Sequence, residues 1–173
     1  KKNKINNNTR YIDGSLVQIV DIEQMLVDLF PIDEEDLTRS IENIDLIKPH
    51  KMVLIAEDSV VATKILEAIM KKLKVNFKVF ENGRKLLDFL CDNESIIPQI
   101  GLVITDLEMP ITSGFEVIKQ IRSTPMLEKL VIAANSSMSG DSNREMALSL
   151  GANKFIAKTN ASEIAQLIKD YCC

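Results

Sequence analysis

The sequence predicts a doubly wound α/β fold built on a five-stranded parallel sheet. From residue 51 onward, short apolar runs alternate with segments whose apolar residues have helical spacing. Strands that alternate with helices pair in parallel, and helices then cover both faces of the sheet. This burial explains why the strands are continuous apolar runs rather than alternating patterns. The 173 residues, 46% hydrophobic and 27% charged, suit one such globular domain with an appendage.

Each element is predicted from its local pattern, taken in chain order. The predicted strands cover residues 52–57, 75–80, 101–106, 130–134 and 153–157. A helix follows each strand: the first begins at Ser59, the second follows the turn Asn82–Gly83, and the next two cover about 113–123 and 141–150. The final helix contains the apolar positions Ile164, Leu167, Ile168 and Tyr171. Apolar residues recur three and four positions apart in these segments, which indicates helices with one face packed on the sheet.

The first fifty residues form a different pattern, which predicts an appendage of strand and helices. Residues 1–10 are polar and rich in Asn, which predicts a mobile terminus or a loop. Residues 16–20 predict a strand, and Asp21 can cap a helix that Pro31 ends. The acidic run at 33–36 favours the first turn of a second helix, which leads into a linker.

Composition excludes several classes of function. A net charge of −4 and a pI near 5.1 argue against nucleic-acid binding, which usually needs a basic surface. No apolar run approaches the ~18 residues of a membrane span, and no signal peptide opens the chain, so we expect a cytoplasmic protein without direct membrane insertion. The three cysteines are expected to be reduced, with Cys91 packed inside a helix. Because the chain begins with Lys1, we expect a fragment of a longer protein.

Acidic residues close two of the predicted strands. Glu57 and Asp58 follow the first strand, and Asp106 ends the third. Because the carboxyl ends of parallel strands meet at one edge of a sheet, these carboxylates are expected to lie together there. Clustered carboxylates repel one another unless a cation lies among them, and hard oxygen ligands favour Mg²⁺. The sequence therefore predicts a magnesium site.

Two further polar residues follow the fourth and fifth predicted strands, and they define the chemistry. Ser136 and Lys158 are expected at the same edge as the acids. Three acids, a hydroxyl and an amine suit a carboxylate that accepts a phosphoryl group, with the metal ion and the lysine neutralising its charge.

Residues 51–171 resemble the receiver domains of two-component signalling, a family with a flavodoxin-like fold and the strand order 2-1-3-4-5. The resemblance depends on four motifs in the expected order: Leu54-Ile55-Ala56-Glu57-Asp58-Ser59, Thr105-Asp106-Leu107-Glu108-Met109-Pro110 with Gly114, Asn135-Ser136-Ser137, and Gly151-Ala152 with Phe155-Ile156-Ala157-Lys158. The separations from Asp106 to Ser136 and to Lys158 are those of the family. The acid pair lies slightly further upstream than usual, and a longer loop would absorb the difference.

The resemblance implies a role for each matching residue. Asp106 would be the phospho-acceptor, and Asp58 with the backbone carbonyl of Glu108 would ligate Mg²⁺, with Glu57 acting through a bound water. Lys158 would hold the phosphoryl group, and Ser136 would be the switch hydroxyl. The side chains at Glu108 and Met138 would flank the phosphoryl group and influence its lifetime.

Several positions depart from the family or have a second interpretation. The proline that commonly follows the family lysine is Thr159 here, and the aromatic residue of the last strand is Phe155 rather than Tyr. Phe155 could act as a switch between buried and exposed positions, although ordinary core packing is the favoured role. Ser137 is an alternative to Ser136 as the hydroxyl.

A second resemblance concerns the segment before the receiver. Tyr11-Ile12-Asp13-Gly14 and Leu16-Val17-Gln18-Ile19-Val20-Asp21-Ile22-Glu23 resemble the last strand and helix of a CheW-like coupling domain. A coupling domain followed by a receiver is the layout of the CheV family of chemotaxis adaptors. The predicted organisation is a coupling-domain remnant at 1–30, a helical linker at 31–50 and a receiver at 51–173.

These resemblances imply a phosphorylation-controlled chemotaxis adaptor that accepts phosphate from a histidine kinase of the CheA type. Its expected partners are that kinase, chemoreceptors and a coupling protein. It would catalyse only its own phosphorylation and dephosphorylation, and it would alter contacts in the receptor–kinase complex or act as a phosphate sink. Two alternatives are a stand-alone receiver without a coupling role and a haloacid-dehalogenase-like phosphohydrolase. Glu108 mimics the second acid of that hydrolase, but Asp106 lies on the third predicted strand rather than the first.

Overall fold

The computed structural model describes residues 8–13, 15–19, 48–137, 140–158 and 160–173. Their largest unit is a parallel sheet of five strands: β3 Met52–Ala56, β4 Phe77–Phe80, β5 Ile100–Asp106, β6 Ile132–Ser136 and β7 Lys154–Ala157. The strands lie in the order β4-β3-β5-β6-β7, which confirms the predicted order 2-1-3-4-5. All seven residues of β5 are buried, because this strand is central in the sheet.

Helices alternate with the strands. They are α1 Val60–Lys72, α2 Gly83–Asp92, α3 Gly114–Ser123, α4 Asp141–Ser149 and α5 Ala161–Cys172. The side chains of Ser59, Asn82, Ser113 and Asn160 cap four of the helices by accepting a hydrogen bond from a backbone N–H of the first turn. A 3₁₀ helix at Glu94–Gln99 lengthens the connection from α2 to β5, where the sequence predicted a longer segment between Asp58 and Asp106.

The two faces of the sheet bury separate apolar clusters. One cluster lies between the sheet and α2, α3 and α4, and includes Leu86, Val117 and Ala147. The other lies between the sheet and α1 and α5, and includes Leu66 and Ile164. Burial on both faces is the physical reason for the continuous apolar strands.

The N-terminal strand prediction was incomplete. Residues 8–12 form β1 Asn8–Ile12, which pairs antiparallel with β2 Ser15–Ile19, so the loop predicted for residues 1–10 is wrong at its end. Backbone pairing with β2 decides this structure, since the first three residues of β1 are polar and carry no apolar strand pattern. The dipeptide Asp13–Gly14 is a hairpin signal that could have revealed the pairing, and Asp13 has a φ of 49°. The helices predicted from Asp21 and at 33–36 lie outside the described residues.

Other corrections concern boundaries and one side chain. β6 begins and ends two residues later than predicted, because Asn135 and Ser136 pair with β5 and β7 despite their weak strand propensity. β4 begins at Phe77 because residues 73–76 complete the connection from α1. Cys91 lies in α2 but is exposed, since the buried side of this helix is formed by Leu86, Leu87 and Leu90. Within the described segments, no helix combines the length and apolar character that a membrane crossing requires.

Candidate functional site

The carboxyl ends of four parallel strands bring the predicted site residues to one edge of the sheet. Glu57 and Asp58 directly follow β3, Asp106 ends β5, Ser136 ends β6, and Lys158 directly follows β7. The shared edge is a consequence of parallel pairing, which aligns β3 with β5, β5 with β6, and β6 with β7.

Lys158, which follows β7, connects that strand with the ends of β5 and β3. Its ammonium Nζ lies 2.7 Å from Asp106 Oδ2 and 3.0 Å from Glu57 Oε1. Both carboxylate side chains are at most 2% exposed, so solvent screens these ion pairs only weakly. The Lys158 backbone N–H also donates to the Ser136 carbonyl at 2.9 Å, which holds the end of β7 beside that of β6.

Burial and charge perturb the proton affinities of this ion-pair network. Burial raises the pKa of Glu57 to about 7, the negative charge of Asp106 adds to the rise, and the hydrogen bond from Lys158 opposes it. Burial by itself lowers the pKa of Lys158, but hydrogen bonds to Asp106 and Glu57 outweigh it, so the pKa of this lysine is raised. The lysine therefore stays charged beside the acids.

The acids are suited to a divalent cation. One carboxylate oxygen from each of Glu57, Asp58 and Asp106 lies within 4.8 Å of the other two. Glu57 and Asp106 are buried, whereas Asp58 is exposed and opens the cluster to solvent. Among the described residues, buried Glu57 Oε2 has no hydrogen-bond partner, which is costly unless a ligand satisfies it. Hard oxygen donors with an unsatisfied buried oxygen fit Mg²⁺.

The segment after β5 orients Asp106. The Glu108 backbone N–H donates to Asp106 Oδ1 at 3.2 Å, so both carboxylate oxygens have a donor. The Glu108 side chain is exposed at the rim. Gly114, the first residue of α3, donates to the Leu107 carbonyl at 3.1 Å, and a Cβ atom at this position would collide with the Asp106 backbone carbonyl. This contact requires glycine and brings the start of α3 against the end of β5.

The two predicted switch residues lie on the last two strands. Ser136 is 1% exposed at the end of β6, whereas its alternative Ser137 is exposed. Phe155 is half-buried against the cluster under α2, α3 and α4, and the Arg144 guanidinium lies 6.0 Å from the centroid of its ring. Phe155 therefore packs against the core in this conformation, and its role as a switch stays a prediction. Met138 and Thr159 lie outside the described residues.

Sequence reasoning gave Asn135 no role of its own at this edge. Asn135 is 1% exposed, and its Oδ1 atom has no hydrogen-bond partner within the described part of the chain. One feature of the sequence could have indicated a role, because Asn135 is a polar residue at the end of the apolar run Val131–Ala134. Its pairing with Asp106 places it inside the sheet.

The fold and the site define the class of this protein. Residues 53–169 match the sequence profile of the response regulator receiver domain, and the chain belongs to this family. Chemotaxis protein CheV1 of Helicobacter pylori is 46% identical over 169 residues, which are 98% of this chain and 53% of that protein. Chemotaxis protein CheV2 of the same organism is 46% identical over 171 residues, with 98% and 54% coverage. The chain thus spans about half the length of these curated relatives.

Solved structures agree with the family assignment. One match is a chain from the co-crystal structure of the Saccharomyces cerevisiae histidine phosphotransfer signaling protein Ypd1 and the receiver domain of its downstream response regulator Ssk1. Its TM-score is 0.63 at 25% sequence identity, and the match covers 73% of this chain and 92% of that chain. A response regulator receiver protein from Pseudomonas putida has a TM-score of 0.62 at 22% identity, with 72% and 99% coverage, and it shows the shared fold. The predicted receiver resemblance is confirmed, whereas the coupling-domain remnant at 1–30 stays a prediction.

Proposed function

We propose that this chain is the phosphorylation-controlled part of a chemotaxis adaptor, and that Asp106 accepts the phosphoryl group. The observation that carries the proposal is the position of Asp106, which lies between the Lys158 ammonium at 2.7 Å and two further carboxylates. Such a carboxylate is oriented for attack, and the ammonium together with a cation held by the acids can neutralise transferred phosphoryl oxygens.

The residues divide the chemistry among them. Glu57, Asp58, Asp106 and the Glu108 backbone carbonyl would hold Mg²⁺, which when bound supplies neutralising charge for the phosphoryl oxygens. An Asp106 oxygen attacks the phosphorus of a phosphohistidine, a P–O bond forms, and the P–N bond breaks with its electron pair left on the imidazole. Lys158 binds a phosphoryl oxygen, and the Ser136 hydroxyl donates to another.

Reversal of the signal needs only water. Water attacks the phosphorus of phosphorylated Asp106, inorganic phosphate leaves, and the carboxylate is restored. In our proposal the chain catalyses its own phosphorylation and dephosphorylation and does not turn over free substrates. Steady hydrolysis of p-nitrophenyl phosphate over many turnovers would instead favour the phosphohydrolase alternative.

Phosphorylation would change the surface of the last two strands and their helices. The added charge draws Lys158 and Ser136 toward Asp106, which alters the packing around Phe155 and α4. By analogy with its chemotaxis relatives, the proposed partners are a CheA-type histidine kinase, chemoreceptors and a coupling protein in the cytoplasm. The altered surface would change contacts among them or remove phosphate from other regulators.

Labelling tests the acceptor. With Mg²⁺ and a small phosphodonor such as acetyl phosphate, the wild type should gain one acid-stable, base-labile phosphoryl group, and Asp106→Ala should gain none. Asp88→Ala is the matched control, because Asp88 is an exposed aspartate of α2 and should leave labelling unchanged. Equal labelling of the wild type and Asp106→Ala would refute the proposal.

The stand-alone receiver is the second candidate, and the N-terminal segment distinguishes it. Identity to the two chemotaxis relatives covers 98% of the chain, which includes residues before the receiver profile begins at 53 and supports the adaptor. A pull-down on receptor–kinase complexes should therefore retain the whole chain better than residues 51–173. Equal retention would favour the stand-alone receiver.

A further inference from the structure

Asn135 carries a buried hydrogen-bond acceptor that has no donor among the described residues. The side chain is 1% exposed, and its Oδ1 atom is unpaired. Leaving such a group unsatisfied costs roughly 1–3 kcal/mol. A buried polar atom that stays unpaired in one state is explained if a donor reaches it in another state.

The sheet places this acceptor beside the phospho-acceptor. Asn135 pairs with Asp106 on β5 and with Ile156 on β7. Because side chains alternate along a strand, Asn135 shares a face with its second neighbour Ala133 and with Ile156, both in the cluster under α1 and α5. Asp106, its partner in register, lies on the same side.

The strand order also places Asn135 on the strand between Lys158 and Asp106. β6 lies between β5 and β7, and Lys158 starts directly after β7. Its ammonium nevertheless reaches Asp106 at the end of β5 and Glu57 after β3. The side chain must therefore cross the end of β6, where Asn135 is located. The Lys158 ammonium is therefore a candidate donor for Asn135, since its side chain passes the strand that carries this acceptor.

A divalent cation would change what the ammonium can bind. The cation needs oxygens of Glu57 and Asp106, which are the two carboxylates that Lys158 now contacts. Like charges a few ångströms apart repel, so the ammonium has to give up part of these contacts. A neutral carbonyl oxygen nearby lowers the cost of this shift, and it holds the ammonium less firmly than a carboxylate would.

We propose that Asn135 is a positioning residue that accepts a hydrogen bond from the Lys158 ammonium when a divalent cation occupies the acidic cluster. The inference rests on the proposed function, and it adds a residue that keeps the lysine in the site, ready for the incoming phosphoryl group. Asn135 does not touch the reacting atoms and acts through Lys158.

A double-mutant cycle on magnesium affinity tests the proposal. Asn135→Leu has a similar shape but no acceptor, so the dissociation constant for Mg²⁺, measured by calorimetry, should rise about fivefold, the equivalent of about 1 kcal/mol. In a Lys158→Met background the same substitution should have no effect, because the donor is gone. A purely structural role for Asn135 would change the affinity equally in both backgrounds.

A second pair of variants distinguishes the loss of the acceptor from a general loss of folding. Asn135→Thr and Asn135→Val both suit a strand and differ by one hydroxyl, so Thr should restore part of the magnesium affinity that Val loses. Equal affinities of Asn135→Leu and the wild type, or equal losses with and without Lys158, would overturn the inference alone. A wild type that binds no Mg²⁺ and accepts no phosphoryl group would overturn the proposed function as well.

Discussion

Two cationic side chains lie at opposite ends of the parallel sheet, Arg122 where β6 and β7 begin and Lys158 where they end. Arg122 makes four hydrogen bonds, all to neutral oxygens: Gly151 O at 2.8 Å, Glu128 O at 2.8 Å, Leu130 O at 2.9 Å and Asn153 Oδ1 at 2.7 Å. Lys158 instead contacts two buried carboxylates.

The difference separates a centre that holds the fold together from the one to which we assign the proposed function. One acceptor of Arg122 also connects two strands of the sheet, because Asn153 Oδ1 accepts a second hydrogen bond from the Ile132 N–H at 2.8 Å. Around Lys158 the described residues leave Glu57 Oε2 and Asn135 Oδ1 without partners. Satisfied hydrogen bonds stabilise one conformation, whereas charged and incompletely satisfied groups are arranged for a ligand. Removing the charge of Arg122 should therefore affect different properties of the protein than removing the charge of Lys158.

Removal of the guanidinium should have the largest effect on stability. Arg122→Met removes the guanidinium donor from three backbone carbonyls and one of the two donors of Asn153, so the free energy of unfolding in urea should fall by about 3 kcal/mol. Magnesium affinity and phosphoryl labelling should stay at wild-type levels. Arg84→Met is the matched control, because within the described part of the chain Arg84 makes just an exposed ion pair with Asp88, and its loss should cost less than about 0.5 kcal/mol. If Arg122→Met and Arg84→Met had similar free energies of unfolding, Arg122 would not be a structural centre of the sheet.

Removal of the ammonium should instead change the response to magnesium. In Lys158→Met the cation no longer competes with a lysine for Glu57 and Asp106, so Mg²⁺ should stabilise this variant by about 1 kcal/mol more than it stabilises the wild type. Thermal unfolding with and without Mg²⁺ measures the gain. Arg122→Met provides the comparison, since its gain should equal that of the wild type. An equal gain in all three proteins would show that Lys158 and the cation do not share oxygens.

A smaller effect is expected from backbone strain at the edge that carries the site. Ile111, between β5 and α3, has a φ of 70° and is 82% exposed. β-Branched residues are disfavoured in this left-handed region, which Asn tolerates. Ile111→Asn should therefore raise the free energy of unfolding by about 1 kcal/mol, measured in urea. Ile111→Val keeps the β-branch and should gain nothing. A loss of stability in Ile111→Asn would show that the isoleucine side chain is packed rather than strained.

Local patterns were sufficient for much of the fold and the site. Apolar runs and helical spacings located the five strands and five helices of the receiver, and the acids at Glu57, Asp58 and Asp106 were placed correctly because parallel strands end at one edge. Boundaries were less accurate where pairing overrides propensity. β6 extends through Asn135 and Ser136 because β5 and β7 flank them, and β1 forms because β2 pairs with it.

The sequence alone determined which residues form the site and the order in which they occur along the chain. Local composition predicts where the strands end and that they pair in parallel. The contacts between the site residues depend on the folded chain. Lys158 meets Glu57 across 101 residues, the pKa of Glu57 rises through burial, and Asn135 is buried with no donor among the described residues. Burial and long-range geometry are properties of the packed sheet, so no local pattern contains them.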